Sequence, residues 1–280
     1  MDIFKVPVGV IQSYFILKRF KPDVLFSKGG FVSLPPSIAA YLLKIPVVSH
    51  ESDLEPGLAN KMVFRFSRKI CVSYPETKEF LKQYSGRIIV TGNPVREEIF
   101  KGSKEEGYKF TGLKKTKKIV LIIGGSQGSS NMNGLIKRNL SELLKKYQIV
   151  HLVGKGKLDF SVYKDGYKQY EFLNEQFKDV YAISDLIICR AGANTLGEIA
   201  ALSKNAILMP LGLEQSRGDQ IQNARLFSKK YGWPVLDDAV SNEDFMRVVN
   251  LTINLSETHR KENFINPTKL ISDVIMSVIK

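Results

Sequence analysis

A glycine loop directly after a run of apolar residues is the part of this sequence best suited to do chemistry. Residues 121–123 read as a buried strand, and they lead into Gly-Gly-Ser-Gln-Gly-Ser at 124–129 and then into a helical pattern. Glycines let the backbone approach a phosphate closely, and the N–H groups at the start of a helix favour negative charge. The segment therefore indicates an anion site, although an ordinary tight connection between a strand and a helix accounts for it equally well.

Two further polar loops follow strand-like runs. Residues 185–189 lead into Arg-Ala-Gly at 190–192 and a helix that carries Glu198, and residues 206–210 lead into the polar segment 211–224. The carboxyl ends of parallel strands meet at one edge of a sheet, which is where ligands bind in open α/β folds. Three such loops at one edge therefore predict a nucleotide site.

The order of these motifs resembles that of the MurG family, the undecaprenyldiphospho-muramoylpentapeptide β-N-acetylglucosaminyltransferases of glycosyltransferase family 28. The matching motifs are His-Glu-Ser-Asp-Leu-Glu-Pro-Gly-Leu-Ala-Asn-Lys at 50–61, Gly-Asn-Pro-Val-Arg at 92–96, the loop at 124–129, Arg-Ala-Gly at 190–192 with Glu198, and Gln-Ser-Arg-Gly-Asp-Gln at 215–220. The resemblance covers essentially the whole chain, and the forms at 50–53 and 216–220 are similar to those of Gram-positive members.

The resemblance implies an α/β protein of the GT-B type, with two Rossmann-like domains that contain parallel sheets. It also implies inverting transfer of N-acetylglucosamine from UDP-N-acetylglucosamine to the C4 hydroxyl of the muramoyl sugar of lipid I, which gives lipid II in peptidoglycan synthesis. UDP would leave stabilised by helix amino termini and by Arg96, so neither a metal ion nor a cofactor is expected.

The resemblance assigns six residues to the donor sugar nucleotide: Arg96, Ser126, Glu198, Gln220, Gly125 and Leu173. Arg96 and Ser126 would contact the diphosphate, Glu198 the ribose hydroxyls, and Gln220 the hydroxyls of the donor sugar. Structural alternatives remain: Arg96 could be an exposed arginine before an acidic pair, and Ser126 could be a helix N-cap. Glu198 could be a carboxylate favoured near a helix amino terminus.

His50 and Glu51 are the catalytic candidates. They end a buried strand and precede the loop around Pro56 and Gly57, which we expect to face the cleft between the domains. Either side chain could orient the acceptor hydroxyl or assist its deprotonation, although a lone histidine in such a place is more often structural.

The acceptor-side candidates are Lys28, Gly29, Gly30 and Asp53. The first three follow another predicted strand and would lie on the same sheet edge, near the acceptor diphosphate. His151 fits no predicted site, and neither does His259.

One family motif is missing from the sequence. Family members begin with a Gly-Gly-Thr-Gly-Gly-His-type loop, and no such loop occurs here. We therefore expect the front of the amino-terminal domain to be absent, about two βα units or roughly 70 to 80 residues. An alternative follows, in which the chain is a donor-binding remnant or partner subunit without transferase activity of its own.

The net charge of +13 has three explanations: a solvated basic surface, nucleic-acid binding, or contact with an anionic membrane. No recognisable nucleic-acid module is present, so no nucleic-acid partner is expected. Residues 1–21 mix apolar side chains with Lys5, Lys18, Arg19 and Lys21, which favours a peripheral protein at the cytoplasmic face of the cell membrane. The same segment could instead be core that has lost its covering strands.

Several other classes are disfavoured. Neither glycine loop has the Gly-x-Gly-x-x-Gly spacing of a nicotinamide-binding oxidoreductase. No apolar run approaches the ~20 residues of a membrane span, and no signal peptide is evident. Cys71 and Cys189 lie inside strand-like runs, as expected of buried thiols in a reducing compartment.

Strand and helix patterns alternate along the chain, which is typical of parallel sheets covered on both faces. We predict a partial amino-terminal domain at 1–95 on the acceptor and membrane side, a UDP-sugar-binding domain at 96–262, and a terminal helix at 263–280 that packs back on the first domain. Residues 101–118 read as a polar linker, and 171–173 as a strand.

Overall fold

The computed structural model describes residues 5–125, 127–214, 216, 218–255 and 267–279. The chain divides into two compact units. Unit 1 comprises Met1–Pro94 together with Ile265–Lys280, and unit 2 comprises Val95–Phe264.

The described residues form nine strands and ten α-helices. The strands are β1 (Leu25–Ser27), β2 (Val47–Glu51), β3 (Lys69–Val72), β4 (Ile88–Val90), β5 (Ile119–Ile123), β6 (Gln148–Leu152), β7 (Tyr167–Tyr170), β8 (Leu186–Cys189) and β9 (Asn205–Leu208). The helices are α1 (Lys5–Phe20), α2 (Leu34–Leu42), α3 (Leu58–Val63), α4 (Lys104–Thr111), α5 (Ser130–Lys146), α6 (Phe177–Ile183), α7 (Ala193–Ala201), α8 (Asp219–Tyr231), α9 (Asn242–Thr252) and α10 (Pro267–Met276). Three 3-10 helices lie at Phe31–Ser33, Pro75–Arg87 and Glu97–Lys101.

Unit 1 is built on a parallel sheet in the order β1-β2-β3-β4. The strand β2 is buried along its whole length, as expected of a central parallel strand. Helix α10 packs on this sheet, where Ile271, Val274 and Val278 join Val48 and Cys71 in one apolar cluster. The carboxyl ends of β1 and β2 lie side by side, so residues 28–30 and 50–53 share one edge.

Unit 2 is built on a parallel sheet in the order β7-β6-β5-β8-β9. The chain moves outward from β5 to β7 and then returns to the other side of β5 with β8. The order therefore reverses between β5 and β8, and ligands of open α/β sheets bind outside the carboxyl ends of the strands at such a point. The loop at 124–129 follows β5, and the loop at 190–192 follows β8.

The predicted linker at 101–118 is wrong, because it contains helix α4. Ser103 caps this helix by accepting a hydrogen bond from the Glu106 N–H at 3.4 Å, and Gly112 ends it at φ 65°. Gly107 lies inside the helix against the Asp179 carbonyl, where a Cβ would collide. Glycine here allows close packing of α4 on α6.

The predicted strand at 171–173 is also displaced. The strand is β7, four residues of Tyr, Lys and Gln that pair with β6 at the edge of the sheet. The predicted segment lies beyond the carboxyl end of β7, where the Phe172 side chain is 58% exposed. An edge strand is only half covered, so its sequence lacks the apolar run of a central strand.

Gly128→Ala should destabilise unit 2, because Gly128 has φ 65° and a Cβ there would collide with the Val153 carbonyl oxygen. The left-handed conformation costs a non-glycine residue about 1–2 kcal/mol, and overpacking adds about 1–3 kcal/mol. Gly156→Ala is the matched control, since Gly156 has φ 72° with nothing within 4 Å of an added Cβ. Urea denaturation should give the larger loss for Gly128→Ala, and equal losses would contradict the close approach.

Candidate functional site

The glycine loop of unit 2 lies where the strand order reverses. Gly125 has φ 86°, and an added Cβ would meet nothing within 4 Å, so its backbone faces open space. Ser129 caps α5, since its hydroxyl accepts a hydrogen bond from the Met132 N–H at 3.4 Å. The loop thus ends at a helix amino terminus, whose remaining N–H groups and dipole favour an anion. Ser126, a predicted donor residue, lies outside the described residues.

A buried arginine joins three loops around this site. Arg190 follows β8, and its guanidinium donates to the Ser129 hydroxyl and, at 2.8 Å, to the Met209 carbonyl. Asp238 faces both terminal nitrogens, at 2.8 and 3.0 Å. The sequence showed Arg190 inside a family motif, but it carried no signal that Asp238 would be its partner.

Glu198 and Arg96 form an ion pair in unit 2. The Glu198 Oε1 atom accepts from Arg96 Nε at 3.0 Å and lies 2.9 Å from Arg96 Nη2, while Oε2 accepts from the Tyr181 hydroxyl at 3.1 Å. Phe177 lies beneath the guanidinium, 5.8 Å from ring centroid to Cζ. Two predicted donor residues are therefore in direct contact, and both carboxylate oxygens are oriented.

Tyr181 is a residue that the sequence did not point to. It is fully buried on α6, and burial, reinforced by the Glu198 carboxylate, raises its pKa well above the usual value. Its hydroxyl therefore stays protonated and donates to Glu198. Glu198 itself lies in the second turn of α7, so the helix-dipole explanation for it is weak, because that effect fades within the first turn.

Gln220 and Leu173 lie at different places on the rim of unit 2. Gln220 is the second residue of α8, and its Oε1 accepts from the Leu211 N–H at 3.1 Å, which ties α8 to the loop after β9. Leu173 is partly exposed in the loop after the edge strand β7. Gln215 and Arg217, which belong to the predicted Gln-Ser-Arg-Gly-Asp-Gln motif, lie outside the described residues.

In unit 1, Glu51 is a buried carboxylate at the end of β2, 3% exposed. Its Oε1 accepts from the Asp53 N–H at 3.0 Å, its Oε2 accepts from Asn60 Nδ2 at 2.8 Å, and the Gly57 N–H also donates to it. Burial raises the pKa of Glu51, and the hydrogen bond from Asn60 opposes the rise. The carboxylate holds the loop at 51–57 in a closed conformation.

His50 is fully buried, and both of its ring nitrogens are engaged. Nε2 lies 3.0 Å from the Gly92 carbonyl oxygen, and Nδ1 lies 3.4 Å from the Ser52 hydroxyl. A carbonyl can only accept, so Nε2 carries the proton and the Ser52 hydroxyl donates to Nδ1. Burial lowers the pKa of His50 to about 4, which keeps the ring neutral at pH 7.

Lys28, Gly29 and Gly30 follow β1 beside this cluster. The glycines have φ of 92° and 83°, and a Cβ on Gly29 would collide with the side-chain amide of Asn60. Desolvation lowers the pKa of Lys28, and the nearby Glu51 and Asp53 carboxylates oppose that shift. Asn60 thus joins the 28–30 loop to Glu51, although the sequence offered it only as one letter of a longer motif.

Neither a metal-binding cluster nor a membrane-spanning helix occurs among the described residues. No group of three or more His, Cys, Asp or Glu side chains is placed to hold a metal ion in this part of the chain. No described helix is both long enough and apolar enough to cross a membrane. Cys71 and Cys189 are free, buried thiols, and burial raises their pKa values to about 11 and about 12.

Known proteins resemble this chain along nearly all of its length. Residues 119–273 match the glycosyltransferase family 28 C-terminal domain, and residues 1–72 match the glycosyltransferase family 28 N-terminal domain. A UDP-N-acetylglucosamine--N-acetylmuramyl-(pentapeptide) pyrophosphoryl-undecaprenol N-acetylglucosamine transferase of Clostridium perfringens is 46% identical over 271 residues, which are 96% of this chain and 74% of the relative. The transferase of the same name from Staphylococcus carnosus is 41% identical, with 100% of this chain and 77% of the relative covered.

A solved structure has the same fold. The crystal structure of Acinetobacter baumannii MurG matches with a TM-score of 0.72 at 23% identity, covering 99% of this chain and 79% of that one. The predicted GT-B architecture of two α/β units with parallel sheets is therefore confirmed.

The buried His50 should make folding stability depend on pH. Its folded-state pKa of about 4 lies below the ordinary 6.5, so its contribution is complete above pH 6.5 and is lost as the pH falls towards 4. The loss amounts to about 3 kcal/mol, since one pKa unit corresponds to ~1.4 kcal/mol. Urea denaturation from pH 8 to pH 4 should show a shallower decline for His50→Gln, which keeps an N–H donor but does not titrate. His151 is present in both proteins, so its contribution cancels, and parallel curves would contradict the prediction.

Proposed function

Because this chain belongs to glycosyltransferase family 28, we propose that it transfers N-acetylglucosamine from UDP-N-acetylglucosamine to lipid I, the undecaprenyl-diphospho-muramoylpentapeptide, and so forms lipid II in peptidoglycan synthesis. One observation carries the proposal. On the rim of unit 2, the glycine loop before α5 lies where the strand order reverses, and Glu198 and Arg96 form an ion pair in the same unit. The Clostridium perfringens relative bears the name of this reaction.

Unit 2 has the groups that a uridine diphosphate needs. The open backbone at Gly125 and the amino terminus of α5 suit the diphosphate, and the exposed guanidinium of Arg96 can add charge-assisted hydrogen bonds. Glu198 accepts from Arg96 and Tyr181, and the remaining lone pairs of its two oxygens can accept from the ribose hydroxyls. Gln220 is proposed to contact the donor sugar.

The chemistry of transfer is a single displacement. The C4 hydroxyl oxygen of the muramoyl sugar bonds to C1 of N-acetylglucosamine as the bond from C1 to the UDP oxygen breaks. UDP leaves with the bonding electrons, and the helix dipole of α5 together with Arg96 stabilises its charge. The hydroxyl proton passes to a base, and inversion at C1 follows from attack opposite the leaving group.

We assign the base to Glu51 and a positioning role to His50. The raised pKa of Glu51 makes its carboxylate a better proton acceptor than an exposed glutamate. His50 has a pKa of about 4, and its Nε2 proton is directed at the Gly92 carbonyl, so it holds the end of β4 rather than accepting a proton. Lys28, Gly29, Gly30 and Asp53 are proposed to receive the acceptor diphosphate and sugar.

Helix α1 is proposed to contact the cytoplasmic face of the cell membrane. Phe15 and Ile16 are each 65% exposed and Phe20 is 76% exposed, while Lys18 and Arg19 lie between them. Exposed apolar side chains interleaved with lysine and arginine are typical of a helix that lies in the interface of an anionic bilayer. Such a contact would bring a soluble donor and a lipid-linked acceptor to one protein.

The proposed function is tested by donor binding and by transfer. Calorimetry should rank UDP-N-acetylglucosamine above UDP-glucose and NAD, and radiolabelled N-acetylglucosamine should be incorporated into a lipid I analogue. Preference for NAD would overturn the proposal, and donor binding without transfer would support the donor-binding alternative instead.

Glu198→Gln should weaken UDP binding about tenfold or more, because a hydrogen bond to a charged group contributes roughly 1.5–3 kcal/mol. Binding of free pyrophosphate should not fall, since Arg96 loses its carboxylate partner and keeps its charge. Glu98→Gln, an exposed carboxylate two residues from Arg96, is the control. Equal losses for UDP and pyrophosphate would place Glu198 outside the ribose site.

Replacing Phe15 and Ile16 by Ser together should reduce cosedimentation with phosphatidylglycerol vesicles at least tenfold, since burial of one large apolar side chain is worth about 1.5–3 kcal/mol. Phe160→Ser is the control, because Phe160 is 89% exposed but belongs to unit 2. Binding should also weaken with salt. If the double variant binds vesicles normally but no longer self-associates, protein rather than lipid covers this face.

A further inference from the structure

His151 is the fourth of the five residues of β6 and is 1% exposed. Its Nε2 atom lies 3.1 Å from Asn133 Oδ1, and its Nδ1 atom lies 2.9 Å from the Tyr167 hydroxyl oxygen. Asn133, in the first turn of α5, donates from Nδ2 to the Val153 carbonyl at 2.9 Å. A chain of four polar groups therefore runs from β7 through β6 and α5 to the residue that follows β6.

Each hydrogen bond in this chain has one possible direction. The Val153 carbonyl can only accept, so the Asn133 amide must turn its NH2 towards Val153 and its oxygen towards His151. That oxygen also only accepts, so His151 carries its proton on Nε2. Burial lowers the pKa of His151 to about 3, so Nδ1 stays unprotonated and accepts from the Tyr167 hydroxyl. The Val153 carbonyl thus fixes the orientation of the Asn133 amide, and through it the tautomer of His151 and the direction of the Tyr167 hydroxyl proton.

The last group of the hydrogen-bond chain, the Val153 carbonyl, packs directly against the glycine loop. The Val153 carbonyl and Gly154 press on Gly128 so closely that neither glycine could carry a Cβ. Asn133, on α5, donates a hydrogen bond to the same carbonyl. The hydrogen-bond chain therefore contacts both parts of the anion site: the glycine loop, through Val153, and the first turn of α5, through Asn133.

We propose that His151 is a positioning residue for the diphosphate-binding loop: acting through Asn133, it holds the Val153 carbonyl against Gly128 and fixes the first turn of α5. The inference rests on the proposed function and assigns part of its affinity for the donor diphosphate to a residue remote from the ligand. Catalytic and binding groups act well only when a second set of hydrogen bonds holds them.

Helix α5 contains a matched comparison. Asn139 lies on the same helix and is buried, whereas Asn133 is half-buried, and Asn139 Nδ2 donates to Leu135 O at 2.9 Å and to Asn242 Oδ1 at 3.0 Å. These partners lie away from the glycine loop. Asn133→Ala and Asn139→Ala each remove a side-chain amide from α5, but only the first breaks the link to Val153.

His151 has a matched pair of its own. In His151→Gln the side-chain amide nitrogen can take the place of Nε2 and donate to Asn133. The shorter side chain of His151→Asn cannot reach it. Both variants remove the imidazole, so they differ mainly in the hydrogen bond that the proposal requires.

The experiment measures inhibition constants of UDP and uridine, KM for UDP-N-acetylglucosamine, kcat and thermal stability for the four variants. Asn133→Ala and His151→Asn should weaken UDP and raise the donor KM about tenfold or more, because misplacement of a site by ~1 Å costs up to about 100-fold. Uridine, which lacks phosphates, should change less than about twofold, within the effect of a few tenths of a kcal/mol. His151→Gln should restore UDP binding, and Asn139→Ala should lower thermal stability alone.

Several outcomes would overturn the inference. Equal loss of UDP affinity in Asn133→Ala and Asn139→Ala, parallel loss of uridine and UDP, or normal UDP binding by His151→Asn would each do so. Nitrogen-15 NMR of the wild-type imidazole needs no variant, and a proton on Nδ1 would contradict the chain directly. Wild-type protein that does not bind UDP would instead overturn the proposed function, and the inference with it.

Discussion

The rim of unit 2 depends on the ion pair and hydrogen bonds of the buried Arg190 guanidinium. A buried charge is costly unless it is paired and hydrogen-bonded. Arg190 is 5% exposed, and its partners are the Asp238 carboxylate, the Ser129 hydroxyl and the Met209 carbonyl. These partners belong to three loops that are far apart in sequence. Burial of the charge is therefore favourable only when all three loops are in place, so the glycine loop, the end of β9 and the segment before α9 form together.

The two described histidines follow one physical pattern in different units. Each is buried at a parallel strand, each has a pKa well below 6.5, and each has its proton placed by a group that can only accept. For His50 that group is the Gly92 carbonyl, and for His151 it is the Asn133 amide oxygen. Neutral imidazole is useful here because it combines one donor and one acceptor on a rigid ring. Such a ring can join two backbone segments across a sheet without burying a charge.

Most of the fold was predictable from local patterns, because central parallel strands are continuous apolar runs and helices repeat every 3.6 residues. The errors fell where that pattern is weak. Helix α4 was assigned to a linker because Gly107 is a packing residue against Asp179, which no local pattern reveals. Strand β7 was predicted at the wrong residues because an edge strand buries only part of its surface: all four of its residues are half-buried, and Lys168 and Gln169 interrupt any apolar run.

The family, the α/β class and the transferase activity follow from the sequence alone, because the glycine loop, Glu198 and Gln220 occur in motifs whose order is itself diagnostic. The roles of the individual site residues stay predictions. Tertiary structure alone decided the partners: Glu198 with Arg96 and Tyr181, and Arg190 with Asp238. Those contacts join segments up to 102 positions apart. The residue type at each position sets the chemistry that the side chain can do. Its hydrogen-bond partners depend on distances that exist only once the sheet has brought remote loops to one edge.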